Sequence, residues 1–427
     1  MAYGPTNGIA TSPRVLAFVM AGGEGERLQP LTRYRAKPAV PFGGCYRIID
    51  FVLSNLVHSG ITSIYILTQY KAQPIIDHVQ RGWAHRVSGR HNFIQVVPAQ
   101  MQIGAKWYRG TADSVYQNLN LIDQLTPDVV LIFGADHIYK MNIRQMVEFH
   151  LDCRAKATVA CLPVPREEGS AFGIMDVDEH SRVKGFIEKP SDPPGMPLDP
   201  SQCLVSMGNY AFEPKFLAEI LHATAKTSDA HDDFGRDILP ALARAGMTYS
   251  YNFSQNRIPG TAAGEEQAYW RDVGTLIAYY DANLDLKNVA PRLNLFNWKW
   301  PILTVNYNDP PAKFVFDESR RRGNAIQSIV SAGCILAGGS AKDSVLGRNV
   351  FLDSGSEICE SIVMDNVYVG PGARIRRAII DKNVRIAAKQ SVGYDLEADR
   401  QRYYVSDDGI VIIPKAPETP ETRERDL

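Results

Sequence analysis

Two rhythms of apolar residues divide this chain. From residue 14 to about residue 286, short apolar runs alternate with stretches of helical spacing. Residues 15–20, 61–67, 93–97, 129–133 and 157–164 read as buried strands, and 50–58, 111–125, 142–153 and 214–223 as helices. That alternation predicts an α/β domain with a mostly parallel sheet covered on both faces. Further along, the rhythm changes. Ile329, Ile335 and Ala341 stand six apart, as do Leu346, Leu352 and Ile358, then Val363, Val369 and Ile375, then Ile380, Ile386 and Val392. Each triplet starts seventeen residues after the one before, with Gly347, Gly355, Gly370 and Gly372 at the corners. A step of six is neither helical nor alternating, and it predicts a parallel β-helix. The expected division is a first domain over 14–286, a linker over 287–325, the β-helix over 326–393 and a polar tail over 394–427. The linker's prolines, with Trp298 and Trp300, suit packing of the β-helix against the first domain.

Composition narrows the picture by exclusion. The 427 residues suffice for two or three domains with a large core. Lys and Arg number 46 against 47 Asp and Glu, which gives no sign of a nucleic-acid partner. The first residues, MAYGPTNGIATSPR, lack a signal-peptide layout, and no apolar run approaches the roughly 18 residues of a membrane span. The six cysteines form no C-x-x-C pair and no zinc spacing. A soluble cytoplasmic protein with reduced thiols is expected.

The candidate chemistry begins where the first strand ends, in VLAFVMAGGEGERLQPLTRYRAKPAVPFGG. Gly22, Gly23 and Gly25 let backbone amides approach an anion, and Arg27 and Lys37 bring two cations to the same loop. This predicts a polyphosphate site. Neither a P-loop nor the G-x-G-x-x-G dinucleotide spacing is present. Ligands of open α/β sheets bind beyond the carboxyl ends of strands, and the other unusual words, VPAQ and GADHIYK, follow strands too. Asp136, directly after the run 129–133, is placed to hold Mg²⁺, which favours one or two carboxylates plus substrate phosphates. Asp272 in YWRDVGT reads alone as the N-cap of the next helix, and paired with Asp136 as a second metal ligand. In FIEKP, Lys189 suits a sugar phosphate and Glu188 its hydroxyls, with Pro190 holding Lys189 extended. Gly173 and Ser206 mark places where a ligand can approach the backbone. Tyr108 and Arg109 precede a helix opening at Gly110 and Thr111, whose N-terminus is a ready anion site. His137 is expected to point away from Asp136 in an extended segment.

The glycine stretch resembles the G-G-x-G-x-R-L…K-P signature of sugar-nucleotide pyrophosphorylases. With AKPAVPFGG, RIIDFVLSN, TQYKAQ, WYRGTAD, DHIYK, FIEKP, SMGNY and YWRDVGT in order, the chain is similar to the glucose-1-phosphate adenylyltransferases, the ADP-glucose pyrophosphorylases. The resemblance implies a Rossmann-like nucleotidyltransferase domain followed by a left-handed parallel β-helix. It also implies adenylyl transfer from ATP to α-D-glucose 1-phosphate for glycogen or a related α-glucan. By this resemblance Arg27, Lys37, Asp136 and Asp272 carry the chemistry with Mg²⁺. Gly22, Gly23, Gly25, Gln100, Gly110 and Thr111 would meet ATP, and Tyr108, Gly173, Glu188, Lys189 and Ser206 glucose 1-phosphate. Ala135 stands where many relatives have the glycine before the aspartate.

Together the two substrates bring about six negative charges into one cleft, so the reaction needs cations more than a base. The sugar phosphate is already an anionic nucleophile, and in-line displacement with pyrophosphate leaving requires no His or Ser nucleophile. Two other readings compete: transfer from UTP, dTTP or GTP on the same scaffold, and a non-catalytic regulatory subunit. The latter should have lost Arg27, Lys37 or Asp136, and all three are present. Arg35 and Arg47 near the catalytic loop, with Arg374, Arg376 and Arg377 in the β-helix, are candidates to clasp a phosphorylated effector. Many bacterial relatives carry an activator lysine where this chain has Tyr34. The resemblance further implies a homotetramer, with the β-helix carrying oligomerisation and effector response.

Overall fold

A computed structural model describes residues 12–416, apart from 88, 90, 101–106, 226–232, 262–264 and 319–320. The tail expected beyond 416 and the first eleven residues lie outside the described residues. The strands that position the site are β1 (Val15–Met20), β2 (Ser63–Thr68), β3 (Phe93–Pro98), β4 (Val129–Gly134), β5 (His137–Tyr139), β6 (Ala157–Pro165), β7 (Gly173–Val177), β8 (Val183–Glu188), β9 (Gln202–Phe212), β10 (Thr248–Asn252) and β11 (Trp270–Asp272). Nine of them form one sheet in the order β8-β7-β9-β4-β1-β2-β3, with β6 pairing β9 and β10. The parallel character is confined to β4-β1-β2-β3 and the β6–β10 pair. The long β9 runs antiparallel to β4, β6 and β7, and β8 antiparallel to β7, so the sheet is mixed rather than mostly parallel. The loop between β7 and β8 is too short for the crossover that a parallel pair needs.

Strands β1 and β4 are apolar throughout because each is buried on both faces, between two separate apolar clusters. The expected helices form as Ile48–His58, Ile143–Asp152 and Pro214–Ala225. The helix expected over 111–125 divides into Thr111–Tyr116 and Leu119–Leu125. At the break, the Asn118 side chain donates to the Ser114 carbonyl and to the Tyr108 hydroxyl. Such local side-chain bonds compete with the helical ladder.

The C-terminal region is a left-handed parallel β-helix made of three sheets of short parallel strands, one closed at its end by the antiparallel strand Tyr404–Val405. Its first strand, Lys313–Val315, comes from the stretch read as linker, and its strand Val411–Ile413 from the stretch read as tail. Three of the four expected inward triplets are buried. The first is shifted by one residue at two positions. Val330 and Leu336, not Ile329 and Ile335, stand in register with Leu346 and Leu352. The cause is the corner Gly338–Gly339: with Gly338 at φ +80°, two residues turn the chain where the next coil uses four.

The two regions share an apolar cluster. Leu28, Leu31, Val40 and Val273 from the first domain pack with Ile362, Met364, Ile379, Ile410 and Ile412 from the β-helix side. Of the two tryptophans expected to pack the linker, Trp300 is buried with its Nε1 donating to Asn55 Oδ1 at 3.2 Å, whereas Trp298 is 88% exposed. All six cysteines are free. Among the described residues, no helix is long and apolar enough to cross a membrane.

Candidate active site

Strands β1, β2 and β4 end side by side. Met20 pairs with Gly134, the Ala135 amide donates to the Met20 carbonyl, and the Ala21 amide to that of Leu67. The glycine loop therefore leaves the sheet directly beside Asp136. Gly25 sits at φ +66°, and a Cβ there would lie 3.1 Å from both the Lys37 Cβ and a Thr32 methyl. The glycine thus lets the loop close over the segment that carries Lys37. Thr32 fastens this turn by donating to the Gly25 carbonyl at 2.9 Å.

Lys37 is the centre of the arrangement. Its side chain is buried, and its ammonium donates to Asp272 Oδ1 at 2.8 Å and to Asp136 Oδ2 at 3.2 Å. Asp272 arrives through the β11–β5 pair, in which it faces His137. The following helix is capped by Thr275, whose hydroxyl accepts from the Ala278 amide. Asp272 is thereby freed from the capping role. Arg27, largely exposed, reaches to 3.7 Å from Asp272 Oδ2. A Cβ at Gly274 would come within 2.8 Å of both Arg27 Nη2 and Asp272 Oδ1, so this glycine makes room for the pair.

His137 corrects an expectation. Rather than turning away, its Nδ1 lies 3.3 Å from Asp136 Oδ1, with its ring against that of Trp270. The Asp136 side chain is 43% open to solvent. Burial works against its charge, but the His137 ring and the Lys37 ammonium outweigh it and hold the pKa at about 2. Asp136, His137 and Asp272 offer ligand atoms all within 4.8 Å of one another. Two carboxylates in that set fit a hard divalent cation that also takes phosphate oxygens. Lys37 supplies positive charge between the two carboxylates.

The residues expected to meet sugar phosphate gather on the adjoining sheet edge. Glu188 pairs with Gly173 across β8 and β7, and a Cβ at Gly173 would press on the Phe186 ring at 2.6 Å and on Glu188 Oε2 at 2.9 Å. Ser206 lies where β9 loses register, one residue past the contact of Val205 with Ile174. Lys189 is not extended. It sits at φ +46°, its amide donating to the Phe172 carbonyl, and that bond overrides the bias imposed by Pro190. The Trp270 ring lies 4.9 Å from that of His137 and 6.0 Å from that of Phe172, so aromatic packing joins the carboxylate cluster to this edge.

Other expected contacts are placed differently. Tyr108 is clamped through its backbone by the Gln69 side chain, at 2.6 and 3.1 Å, and Gln69 borders Gly22. Tyr108 therefore stands by the glycine loop. The Thr111 hydroxyl donates to Asp233 Oδ2 and accepts from the Phe234 amide, and the helix it opens has only six residues. Its first turn is not an open anion site. Gly110 is the N-cap, and Gln100 is exposed just beyond β3, beside the undescribed 101–106. The two arginine groups do not form one open clasp either. Arg35 is buried on Asp381, and Arg47 donates to the Ala39 carbonyl. Arg374 faces Glu357, Arg376 faces Glu360, and Arg377 donates to the Asp408 carbonyl. Sequence reasoning missed His137, Gln69, Thr275 and Gly274. Only Gly274, in DVGT, carried a local signal.

The profile of the family described as "Nucleotidyl transferase" matches residues 16–289, and that described as "GlmU-like, C-terminal hexapeptide" matches residues 310–413. The chain is 51% identical over 407 residues to a protein of Thermus thermophilus named glucose-1-phosphate adenylyltransferase, covering 94% of this chain and 98% of that one. Proteins of the same name from Anaeromyxobacter sp. (strain Fw109-5) and Mycolicibacterium smegmatis are 49% and 50% identical, with the same coverage of both chains.

Proposed function

The chain belongs to the nucleotidyl transferase family, among the glucose-1-phosphate adenylyltransferases, and from that premise we propose that it transfers the adenylyl group of ATP to α-D-glucose 1-phosphate. An oxygen of the sugar phosphate forms a bond to the α-phosphorus, the bond from that phosphorus to the β-phosphate oxygen breaks, and pyrophosphate leaves with its electron pair. The observation that carries this reading is Lys37 lying between Asp136 and Asp272, with Arg27 beside them and the glycine loop above.

In this reading the nucleophile is already ionised, so the residues act by positioning and by charge rather than by proton transfer. Arg27 and Lys37 meet the triphosphate, where charge builds on the departing pyrophosphate. Glu188 accepts hydrogen bonds from the sugar hydroxyls, Lys189 meets the sugar phosphate, and Gly173 and Ser206 leave room for the ring. Asp136 and Asp272 would hold Mg²⁺, which neutralises phosphate charge when bound. Phosphorylated small molecules acting at the junction with the β-helix, a homotetrameric assembly and a cytoplasmic setting complete the proposal. The half-exposed Arg374 and Arg376 support the first of these, since their guanidinium groups lie at the surface in long ion pairs with Glu357 and Glu360.

The test is product identity. Incubation with Mg²⁺, glucose 1-phosphate and ATP, UTP, dTTP or GTP in turn, followed by mass analysis, should give ADP-glucose as the dominant product. A dominant UDP-, dTDP- or GDP-sugar would replace the adenylyl reading, and no nucleotide sugar at all would remove the enzymatic one.

A further inference from the structure

Two residues before Lys37, the chain is fastened to the other domain. Arg35 Nη2 donates to both carboxylate oxygens of Asp381 at 2.7 Å, and the two side chains are 5% and 1% exposed. Asp381 is itself fixed. Its Oδ1 accepts from the Lys382 amide at 2.7 Å, and its own amide donates to the Ile413 carbonyl at 2.9 Å. On the other side of the pair, every residue from 35 to 40 is buried. The Ala39 and Val40 amides close a turn onto the Ala36 and Lys37 carbonyls. A single residue, Ala36, separates the guanidinium's backbone from that of the lysine between the two carboxylates.

We propose that Arg35 and Asp381 are a positioning pair for nucleotidyl transfer: through Asp381 the β-helix sets the height and direction of the segment that presents Lys37. This deepens the functional reading and rests on Lys37 acting in the cleft. Stability alone is a weak reason for the pair. Desolvating two charges cancels most of their attraction, and apolar replacements of buried pairs are often neutral or stabilising. Apolar replacements would have company here, because Leu28, Leu31, Val40, Ile362, Met364 and Ile379 belong to the same junction cluster. A short charged contact from one guanidinium nitrogen to both oxygens of a fixed carboxylate supplies what an apolar contact lacks, a narrow range of permitted distance and direction. Val273, which follows Asp272, belongs to the same junction cluster, so chain neighbours of both the lysine segment and one of its carboxylate partners share apolar packing with the β-helix.

The pair is tested in the full-length enzyme with Asp381→Asn and with the double variant Arg35→Met/Asp381→Leu, measuring Tm, kcat and both KM values. A displacement near 1 Å at a reacting group can cost about 100-fold, so Asp381→Asn should lower kcat by roughly 10- to 100-fold while both KM values move much less. The double variant removes both buried charges, so it stays informative if Asp381→Asn folds poorly. Its Tm should return towards that of the parent while its kcat stays low. Recovery of kcat together with Tm would overturn the inference, and so would a folded Asp381→Asn protein with kcat within about twofold of the parent. The parent protein serves as control. If it forms no ADP-glucose the functional reading fails, whereas an active parent with insensitive variants removes only the positioning role.

Discussion

Two constellations of acids and cations lie close together in this chain, and burial separates their roles. In the cleft, Lys37 meets Asp136 and Asp272, whose side chains are 43% and 31% exposed, and Arg27 stands largely in solvent. At the junction, Arg35 meets Asp381, while Arg348 and Lys382 meet Asp365, and none of these five side chains is more than 8% exposed. The residue types are the same. The first group leaves carboxylate oxygens open to a ligand, and the second satisfies its charges internally. Charge composition therefore does not distinguish a site from a strut, and exposure of the ligating atoms does. This explains why Arg35, expected to await an effector, is instead engaged by Asp381.

The sharpest way to break the comparison is to remove one carboxylate from each constellation. Asp136→Asn should lose about 100-fold or more in kcat, the typical effect of deleting one transition-state contact, with the urea midpoint nearly unchanged. Asp365→Asn should do the reverse. Breaking its buried 2.6 Å contact with Lys382, while Arg348 keeps its ion pair with Asp309, should cost about 3–5 kcal/mol, read from urea unfolding. If Asp136→Asn unfolds the protein, or Asp365→Asn leaves its stability intact, the division into open and closed groups is wrong.

A smaller effect is expected on the sugar side of the cleft. Lys189→Ala removes a charged hydrogen-bond donor, so KM for glucose 1-phosphate should rise about 10-fold or more with KM for ATP little changed. Equal shifts for both substrates would move Lys189 out of the sugar subsite. Acid should also separate the two regions. Burial disfavours the charged Asp365, but Lys382, Arg47 and Arg348 outweigh it and hold the pKa at about 2. A carboxyl depressed in the folded state adds stability above its ordinary pKa near 4. That contribution, about 2 kcal/mol, is lost as the pH falls through 2. Asp365→Asn should therefore flatten the acid limb of a stability–pH curve between pH 4 and 2. Asp136 is likewise held at about 2, so it stays ionised at neutral pH, and any loss of kcat between pH 7 and 5 must come from another group. The smallest effect is expected at the surface: Arg376→Ala breaks a half-exposed pair with Glu360 and should change stability by less than about 1 kcal/mol.

How much of this was legible in the sequence follows from the range of each signal. The glycine loop, Lys37 and Asp136 could be read because each belongs to a short word beside a buried strand. The β-helix could be read because its repeat is written once per coil. The slip in its first coil came from counting six across the Gly338–Gly339 corner, although two adjacent glycines were a visible warning. The antiparallel half of the sheet was not legible, because an apolar run buried on both faces does not state its direction. Neither were the long-range partners: Gln69 beside Tyr108, Asp233 on Thr111, and Asp381 on Arg35 are separated by 39, 122 and 346 residues. No local pattern marks such pairs. His137 was misread because alternation in an extended strand gives the side chain's face, not the bend that returns its ring to Asp136.

The most direct measurement is pyrophosphate release from ATP, Mg²⁺ and glucose 1-phosphate by the parent protein and by folded Asp136→Asn and Asp272→Asn variants. The account predicts release that requires all three reactants and falls by about 100-fold in each variant. Release that persists near the parental rate when both carboxylates have been neutralised in turn would contradict it, since the cluster around Lys37 would then not be where the chemistry occurs.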